Sequence, residues 1–372
     1  MLIFASKIIL KLNDFIYNVQ DSHVESVSYS WSAPSNIALV KYWGKKVPQL
    51  PANPSISFTL NNCKTETTLS VVKKNNDDTN FSVEVFVDGK LKEDFKPKIL
   101  SFFERIVLYQ PFLKEYHFKI KTHNTFPHSS GIASSASGMA ALSMCLMSLE
   151  NDLNPEMTSD LFYKKASFLA RLGSGSACRS IESEVVVWGK NKSIKGSSDL
   201  FGIPFPYKIH PKFINYQDTI LLVDKGEKKV SSSVGHSLME NHPFAIQRFK
   251  QAHQNIEKIT ESLTTGNLDD FISIVESEAL TLHSMMMTSQ PYFILMKPNT
   301  LKIIEKVWEF RKETSLPICF TLDAGANVHL LYPEFVKDDI INFINSELSQ
   351  FCENNSYICD SIGMGAYQIS ND

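Results

Sequence analysis

A loop rich in serine and glycine, GIASSASG, leads directly into a long stretch of helix-forming residues. Small side chains let backbone N–H groups reach phosphate oxygens at a helix N-terminus, and the hydroxyl of Ser134 or Ser135 could bind Mg²⁺ or a phosphate. The same residues also suit a helix start capped by serine, with no ligand. The sequence has no GxxxxGKS or GxxxxGKT motif, so a P-loop is excluded.

Charged residues in two other segments could handle an anion or a proton. Lys41 and Lys45 lie on either side of a Trp-Gly pair in KYWGKK, where they could bracket an anion. Lysines at a surface are more often simply solvated. Asp323 follows the apolar run ICFTL and precedes Gly325, which allows a ligand to come close. An aspartate in that position is also a common turn or cap residue.

A second small-residue loop, GSGSACRS, carries two hydroxyls and a cation. Ser174 and Ser176 precede Arg179, and we expect this loop to open a helix. Arginine can bind a carboxylate or a phosphate through two parallel hydrogen bonds. The alternative is an arginine on a solvated helix face. Only the joint occurrence of these segments, in this order, favours a catalytic site.

The predicted strands and helices that flank these segments must position them. Residues 29–72 read as short β-like runs, and YHFKIK alternates, with Tyr116, Phe118 and Ile120 on one face. Thr158 is a predicted N-cap. Further strands are predicted at EVVVW, TILLVD, ICFTL and VHLLYP, and helices at 243–264, 268–285, 299–313 and 337–350. Helices and strands mix without a regular βαβ order, which predicts an α+β fold.

Composition limits the class of protein. The chain has 372 residues, 43% of them apolar, which predicts two lobes with a boundary near residues 200–215. The formal net charge of -3 argues against a nucleic-acid or anionic-membrane partner. Six scattered cysteines without metal-site spacing indicate reduced thiols in the cytoplasm. Residues 1–28 are interpreted as an N-terminal extension, with neither a cleavage site nor a membrane span.

The wording of the segments resembles a known group of enzymes. Five segments are similar to motifs of the GHMP kinase superfamily and, within it, of the diphosphomevalonate decarboxylase family. They are APSNIALVKYWGKK, NTFPHSSGIASSASG, ARLGSGSACRS, GEKKVSSSVGH and FTLDAGANVHLLYP. The resemblance spans about residues 29–335. The serine-rich loop alone would indicate only the superfamily, whereas KYWGK together with GSGSACRS is specific.

The resemblance implies roles for individual residues. Asp323 would be the catalytic carboxylate at the 3-hydroxyl of the substrate, with Lys41 near the reacting phosphoryl group. Arg179 would hold the substrate carboxylate, and Asn36 would orient Arg179. Ser134 and Ser135 would lie on the loop for the ATP phosphates and Mg²⁺. The family's substrate and diphosphate contacts fall on Tyr42, Lys45, Ser174, Ser176 and Ser232.

The implied fold is GHMP kinase-like, α+β and two-lobed. A lobe like ribosomal protein S5 domain 2 is expected at residues 29–210, and a ferredoxin-like lobe at 211–372, with the cleft between them. The resemblance also implies a homodimer. The implied reaction is ATP-dependent decarboxylation of mevalonate 5-diphosphate to isopentenyl diphosphate. The alternatives are a mevalonate 5-phosphate decarboxylase, a mevalonate 3-kinase, or a catalytically silent binding protein on this fold.

Three residues depart from the family pattern. His128 stands where a small threonine is expected, Pro54 replaces a polar residue, and His236 stands where methionine is common. His128 and His236 lie in segments expected near phosphate. We interpret each histidine as a packing or capping residue rather than a new catalyst.

Overall fold

The computed structural model describes residues 12–17, 23–75, 78–127, 132–224, 226 and 232–370, and the side chains of Ser232 and Ser233 lie outside that description. Most of the N-terminal extension and His128 are therefore outside the described residues. Within those limits the chain forms two lobes, each a sheet covered by helices. This confirms the predicted α+β class.

The first lobe is built on a sheet with two very long strands. The strands of the lobe are β1 (Ser26–Val40), β2 (Lys45–Lys46), β3 (Leu50–Pro51), β4 (Ser55–Lys73), β5 (Ser82–Val87), β6 (Lys90–Leu91), β7 (Tyr116–Asn124), β8 (Val185–Trp188) and β9 (Ile203–Pro204). β2 and β3 pair only with each other, and the other strands belong to the main sheet. β1 and β4 pair antiparallel along most of their length, and β7 and β5 continue the sheet. The expectation of short runs over residues 29–72 is wrong, because β1 continues through Pro34 by shifting register there.

Helices cover one face of this sheet. They are α1 (Lys96–Ile106), α2 (Ser134–Leu153) and α3 (Ser159–Gly173). Most side chains of α2 are buried, since it packs between the sheet and α3, and a helix that is apolar all round belongs in a core. Thr158 caps α3 by accepting a hydrogen bond from the N–H of Leu161, as predicted.

The second lobe has a four-stranded antiparallel sheet and its own helices. The strands are β10 (Gln217–Leu221), β11 (Cys319–Thr321), β12 (Val328–Tyr332) and β13 (Tyr357–Ser361), in the order β11-β12-β10-β13. The helices are α4 (Ser232–Ser237), α5 (Ala245–Thr265), α6 (Leu268–Met287), α7 (Pro298–Thr314) and α8 (Lys337–Phe343). The helix predicted near 337–350 is confirmed as a helical stretch, but only its first part is an α-helix: α8 passes into a π turn at Ile344–Leu348 and a 3₁₀ turn at Ser349–Phe351.

The two lobes are joined by more than the covalent connection. Ile37 and Phe58 of the first lobe share one hydrophobic cluster with Ile220 and Phe271 of the second. The carboxylate of Asp360 accepts hydrogen bonds from the backbone N–H groups of Asn61, Asn62 and Cys63, at 3.0, 2.8 and 2.7 Å. The last strand, β14 (Tyr367–Gln368), returns to the first sheet and pairs with β1. These contacts fix the walls of the cleft.

Candidate active site

The cleft contains an ion pair whose two members come from different lobes. Lys41 follows the end of β1, and Asp323 follows β11. The Nζ of Lys41 lies 3.3 Å from Oδ1 of Asp323. The lysine side chain is only 2% exposed and the aspartate side chain 27% exposed, so the carboxylate faces open space. The pair presents a charged, accessible carboxylate against a buried cation.

Burial and neighbouring charges act in opposite directions on Lys41. Burial lowers the pKa of its ammonium, and the charges of Asp323 and Glu278 oppose that shift. The backbone carbonyl of Asp323 accepts a hydrogen bond from Nε2 of His283 at 3.1 Å. Burial is also the main reason that the pKa of His283 is lowered to about 4. A neutral imidazole therefore supports the loop that carries the aspartate.

A buried ion pair of the second lobe holds the backbone of Lys41. Arg248 on α5 and Glu278 on α6 are fully buried and lie 2.5 Å apart. The N–H of Lys41 donates to Oε2 of Glu278 at 2.9 Å, and its carbonyl accepts from Nη2 of Arg248 at 3.0 Å. Asn255 donates to Oε1 of the same glutamate at 2.6 Å. Arg248 and Glu278 were not predicted as site residues from the sequence, because both lie on ordinary amphipathic helices.

Arg179 occupies a fully buried position beside the cleft. Its Nη1 donates to Oγ of Ser55 at 2.7 Å and its Nη2 donates to Oδ1 of Asn36 at 3.3 Å. Among the described residues, its buried Nε has no hydrogen-bond partner. Burial lowers the pKa of the guanidinium, and the charge of Asp323 opposes that shift. Arg179 is thus close enough to the aspartate for the two charges to interact, with donor capacity left for a ligand.

The loop that carries Arg179 differs from the prediction. Residues Gly175–Arg179 form a 3₁₀ turn, and no longer helix follows before β8. The expectation of an arginine at a helix start is therefore wrong. The side-chain amide of Asn36 donates hydrogen bonds to the carbonyl of Ser176, in this turn, at 3.2 Å and to Oγ of Ser180, just after it, at 2.8 Å.

Aromatic rings line the segment after Lys41. The ring centroid of Tyr42 lies 4.6 Å from that of Trp188 and 4.2 Å from that of His236. His236 in turn lies 4.7 Å from Trp43. A Cβ at Gly175 would be 2.9 Å from the hydroxyl of Tyr42, so only glycine allows this close approach. Burial raises the pKa of Tyr42, which keeps the phenol protonated as a donor.

The serine loop and the arginine loop meet at one point. Oγ of Ser135, in the first turn of α2, lies 3.3 Å from Oγ of Ser174. Ser134 begins α2, after Ala133 in the left-handed conformation with φ 42°. Two segments singled out independently in the sequence are thus adjacent, and the N-terminus of a long helix points toward their junction.

A cavity of about 220 Å³ lies beside the same serines. Its walls combine apolar side chains of β5, β7, α1 and α2 with polar side chains that include Thr65 and Thr67 of β4. Lys98 lies in that wall, and its side chain is exposed. This cavity was not foreseen, since its lining residues are spread over β4, β5, β7, α1 and α2.

The remaining predicted residues are less closely tied to the centre. Lys45 lies on β2 and is partly buried, which lowers its pKa, with Arg105 as the second cause. Pro54 packs against Gly189, where a Cβ would lie 2.7 Å from Cα of Pro54. Ser232 begins α4, but its side chain lies outside the description. Across the described ranges, no group of three or more His, Cys, Asp or Glu side chains could hold a metal.

Two family models match nearly the whole folded chain. A diphosphomevalonate decarboxylase-like N-terminal domain matches residues 33–200. A mevalonate 5-diphosphate decarboxylase C-terminal domain matches residues 219–368. The chain belongs to the diphosphomevalonate decarboxylase family. Membership confirms the resemblance seen in the motifs.

Individual family members are similar over most of their length. The diphosphomevalonate decarboxylase of Candida albicans is 28% identical over 332 residues, which cover 85% of this chain and 87% of that protein. That of Ganoderma lucidum is 29% identical over 338 residues, covering 84% and 80%. Both lobes take part in the similarity.

Solved structures of the family have the same architecture. Mevalonate diphosphate decarboxylase from Staphylococcus aureus superposes with a TM-score of 0.78 at 27% identity, covering 93% of this chain and 98% of that one. A structure that holds MVAPP, AMPPCP and magnesium gives the same TM-score at 28% identity, covering 93% and 100%. The predicted two-lobed, GHMP kinase-like fold is confirmed. No helix within the described part of the chain is both long and apolar enough to cross a bilayer.

Proposed function

We propose that this chain catalyses the ATP-dependent decarboxylation of mevalonate 5-diphosphate to isopentenyl diphosphate, ADP, phosphate and CO₂. Family membership supports this reaction, and a similar structure holds MVAPP, AMPPCP and magnesium. The observation that carries the proposal is the centre formed by Lys41, Asp323 and Arg179. The charge of Arg179 acts on Lys41, and that of Asp323 acts on Arg179, so the three share one site.

Asp323 is the proposed general base for the first step. A tertiary hydroxyl is a weak nucleophile, and a carboxylate within hydrogen-bond reach can orient it and accept its proton. The ammonium of Lys41, 3.3 Å from Oδ1 of Asp323, stabilises the negative charge of the carboxylate in its resting state. Lys41 is also placed to neutralise charge on the phosphoryl group as it reaches the 3-oxygen.

Arg179 is the proposed partner of the substrate carboxylate in the second step. The bond between C1 and C2 breaks, its electron pair forms the alkene, and the 3-phosphate leaves with the electrons of the C3–O bond. Arg179 must hold the carboxylate in place without preventing its loss as CO₂. Ser55 and Asn36 fix the guanidinium from one side, so its remaining donors are pre-oriented.

Ser134 and Ser135 are the proposed residues for the ATP phosphates and Mg²⁺. The N-terminus of α2 favours anions, and the neighbouring apolar cavity of about 220 Å³ suits the adenine base. The serine hydroxyls are hard oxygen donors, which fit Mg²⁺ together with phosphate oxygens. Bound Mg²⁺ would neutralise phosphate charge during transfer. Within the description, no carboxylate cluster offers a separate metal site.

The diphosphate of the substrate is assigned to a separate set of donors. Hydroxyl and ammonium donors are needed there, and those proposed belong to Tyr42, Lys45, Ser174, Ser176 and Ser232. The contact between Ser174 and Ser135 supports this arrangement, because it brings the substrate segment to the nucleotide segment. The phosphoryl group can then pass between two ligands that lie side by side.

The proposal also covers the domain bounds, the oligomeric state, the location in the cell and the partners of the protein. We propose lobes at residues 29–210 and 211–372, a homodimer, a cytoplasmic location and no nucleic-acid partner. The net charge of -3 and the six cysteines, none in a disulfide, support the last two points.

One experiment tests the reaction directly. The purified protein is incubated with Mg-ATP and mevalonate carrying no, one or two 5-phosphates, and CO₂ and ADP are measured together. We expect equal amounts of both products with the diphosphate. Faster turnover of the monophosphate would replace the proposed substrate, and ADP without CO₂ would identify a 3-kinase.

A further inference from the structure

His236 is held in one orientation by the segment that follows Lys41. Its ring lies between Tyr42 and Trp43, with interplanar angles of 33° and 39°. Gly235 beside it has no space for a side chain, since a Cβ there would lie 2.5 Å from the ring of Trp43. The two aromatic neighbours therefore restrict the rotation of the His236 ring.

A backbone hydrogen bond sets the tautomer of this ring. The N–H of Gly44 donates to Nδ1 of His236 at 3.0 Å. A backbone N–H can only donate, so Nδ1 must offer a lone pair, and the neutral ring carries its proton on Nε2. A second proton on Nδ1 would meet the N–H of Gly44 and break this bond. The geometry therefore selects the neutral Nε2–H form.

The surroundings of the ring also favour its neutral form. Burial is the main cause that lowers the pKa of His236 to about 3, followed by the positive charges of Lys45 and Arg179. No described residue accepts a hydrogen bond from Nε2, and this nitrogen is not among the fully enclosed polar atoms. The Nε2–H group of His236 is thus available as a donor, and the nearby positive charges of Lys45 and Arg179 favour binding of an anion there.

We propose that His236 is a specificity-determining residue whose Nε2–H donates a hydrogen bond to the diphosphate of the substrate. The inference rests on the proposed function, which assigns the diphosphate to a set of residues that includes Tyr42 and Lys45. The ring of Tyr42 lies 4.2 Å from that of His236, and the charge of Lys45 acts on the imidazole. Ionised phosphate oxygens are strong acceptors and bind such a donor well.

A neutral donor in this position has a distinct effect. It adds a directed hydrogen bond without adding a further positive charge next to Lys45 and Arg179. The methionine that is common at this position in the family has no N–H to donate. This chain therefore binds the diphosphate with one contact that a methionine-containing relative would lack.

The test compares His236→Met with His236→Gln. Binding of mevalonate 5-diphosphate to the full-length protein is measured by calorimetry without ATP. We expect His236→Met to bind about 10- to 100-fold more weakly, which is the usual effect of one lost hydrogen bond to a charged group. His236→Gln restores an N–H donor and should recover most of the affinity. ATP affinity should stay the same in both variants, and His23→Met is the control for a histidine with an exposed side chain.

Several results would overturn the proposal. Wild-type affinity in His236→Met would show that Nε2 makes no contact with the substrate. Equal losses in both variants, with equally lowered melting temperatures, would show a packing role only. In ¹⁵N spectra of the wild type, the Nε2 proton should shift when the substrate binds, and an unshifted proton would contradict the contact. A wild type that binds the diphosphate but releases no CO₂ would overturn the proposed reaction, not this contact.

Discussion

Two buried ion pairs of this molecule have similar chemistry and different neighbours. Lys165 and Glu150 lie 2.5 Å apart inside the first lobe, where the lysine also donates to the carbonyl of Tyr109. Arg248 and Glu278 lie equally close in the second lobe, but each of them also makes a hydrogen bond to the backbone of Lys41. The first pair connects elements of one core. The second connects its lobe to a residue of the proposed catalytic centre.

The difference teaches that the role of a buried ion pair depends on the third group it holds. Breaking either pair by removing one partner should destabilise the fold, by about 3–5 kcal/mol, because a buried charge is left alone. Only the pair at Lys41 should also change catalysis. Four predictions test this contrast.

The largest effect is expected from Asp323→Asn, compared with Glu150→Gln. Both changes are nearly isosteric and remove one negative charge. Asp323→Asn should lower kcat by about 10²–10⁴-fold while ATP and substrate still bind, because the general base is lost. Glu150→Gln should lower the melting temperature and leave kcat almost unchanged. Near-normal kcat in Asp323→Asn would remove this residue from the mechanism.

Two buried arginines give the second comparison. Arg179→Gln should lower kcat/KM for the substrate by roughly ten- to several-hundred-fold, since the charge and the two-pronged contact are lost. ATP affinity should change much less. Among the described residues, Arg171 donates its hydrogen bonds to the carbonyl oxygens of Pro48, Gln49 and Leu200, so Arg171→Gln should mainly lower stability. Equal losses of ATP and substrate affinity in Arg179→Gln would point to a folding defect.

The third comparison replaces each ion pair as a whole. Apolar replacement of a buried pair is often neutral for stability, so catalysis becomes the main readout. The double variant Arg248→Met with Glu278→Leu should lower kcat by about tenfold, because the backbone of Lys41 loses both partners. The double variant Lys165→Met with Glu150→Leu should keep wild-type kcat. Equal kcat values at equal melting temperatures would show that the pair on Lys41 has no positioning role.

The smallest effect on turnover concerns His283 and pH. Its pKa is about 4 in the folded protein and about 6.5 in an unfolded chain. Between these values the unfolded state binds more protons, so this histidine stabilises the fold above pH 6.5 and loses that contribution as the pH falls toward 4. The loss should be about 3 kcal/mol at most.

Denaturant unfolding between about pH 4 and pH 7 measures this slope. It should be smaller in His283→Gln and unchanged in His123→Gln, whose imidazole is largely exposed. An identical slope in wild type and His283→Gln would show that another group titrates. Turnover at pH 7 should change little, since His283 contacts only the carbonyl of Asp323 in the proposed centre.

Local sequence was informative where the chemistry lies in short segments. Lys41 and Asp323 were singled out separately, 282 positions apart, and the fold brings them within 3.3 Å. Each residue could be singled out from its own short segment, because its neighbours in sequence mark the end of a strand. Helix bounds in the second lobe were also predictable, since amphipathic periodicity is strong there.

The parts that could not be predicted depend on long-range contacts. Nothing near Glu278 indicates that it accepts a hydrogen bond from a residue 237 positions away. The sequence of the 3₁₀ turn at Gly175–Arg179 predicts the start of an α-helix, because small residues and serine are common in both structures. The register shifts of β1, between Pro34 and Asn36 and between Ala38 and Val40, depend on its pairing with β4, and the pattern of one strand does not contain that information.

The return of β14 to β1 has a consequence for protein engineering. Trp31 and Ser32 of the first sheet pair with Gln368 and Tyr367, and Lys64 lies 5.0 Å from the ring of Tyr367. Tyr367 and Gln368 thus cover the edge of a sheet whose first strand begins at Ser26. A chimaera spliced at residue 210 would exchange this closing strand together with the second lobe. Its success would depend on whether a foreign C-terminus could cover the open backbone of β1.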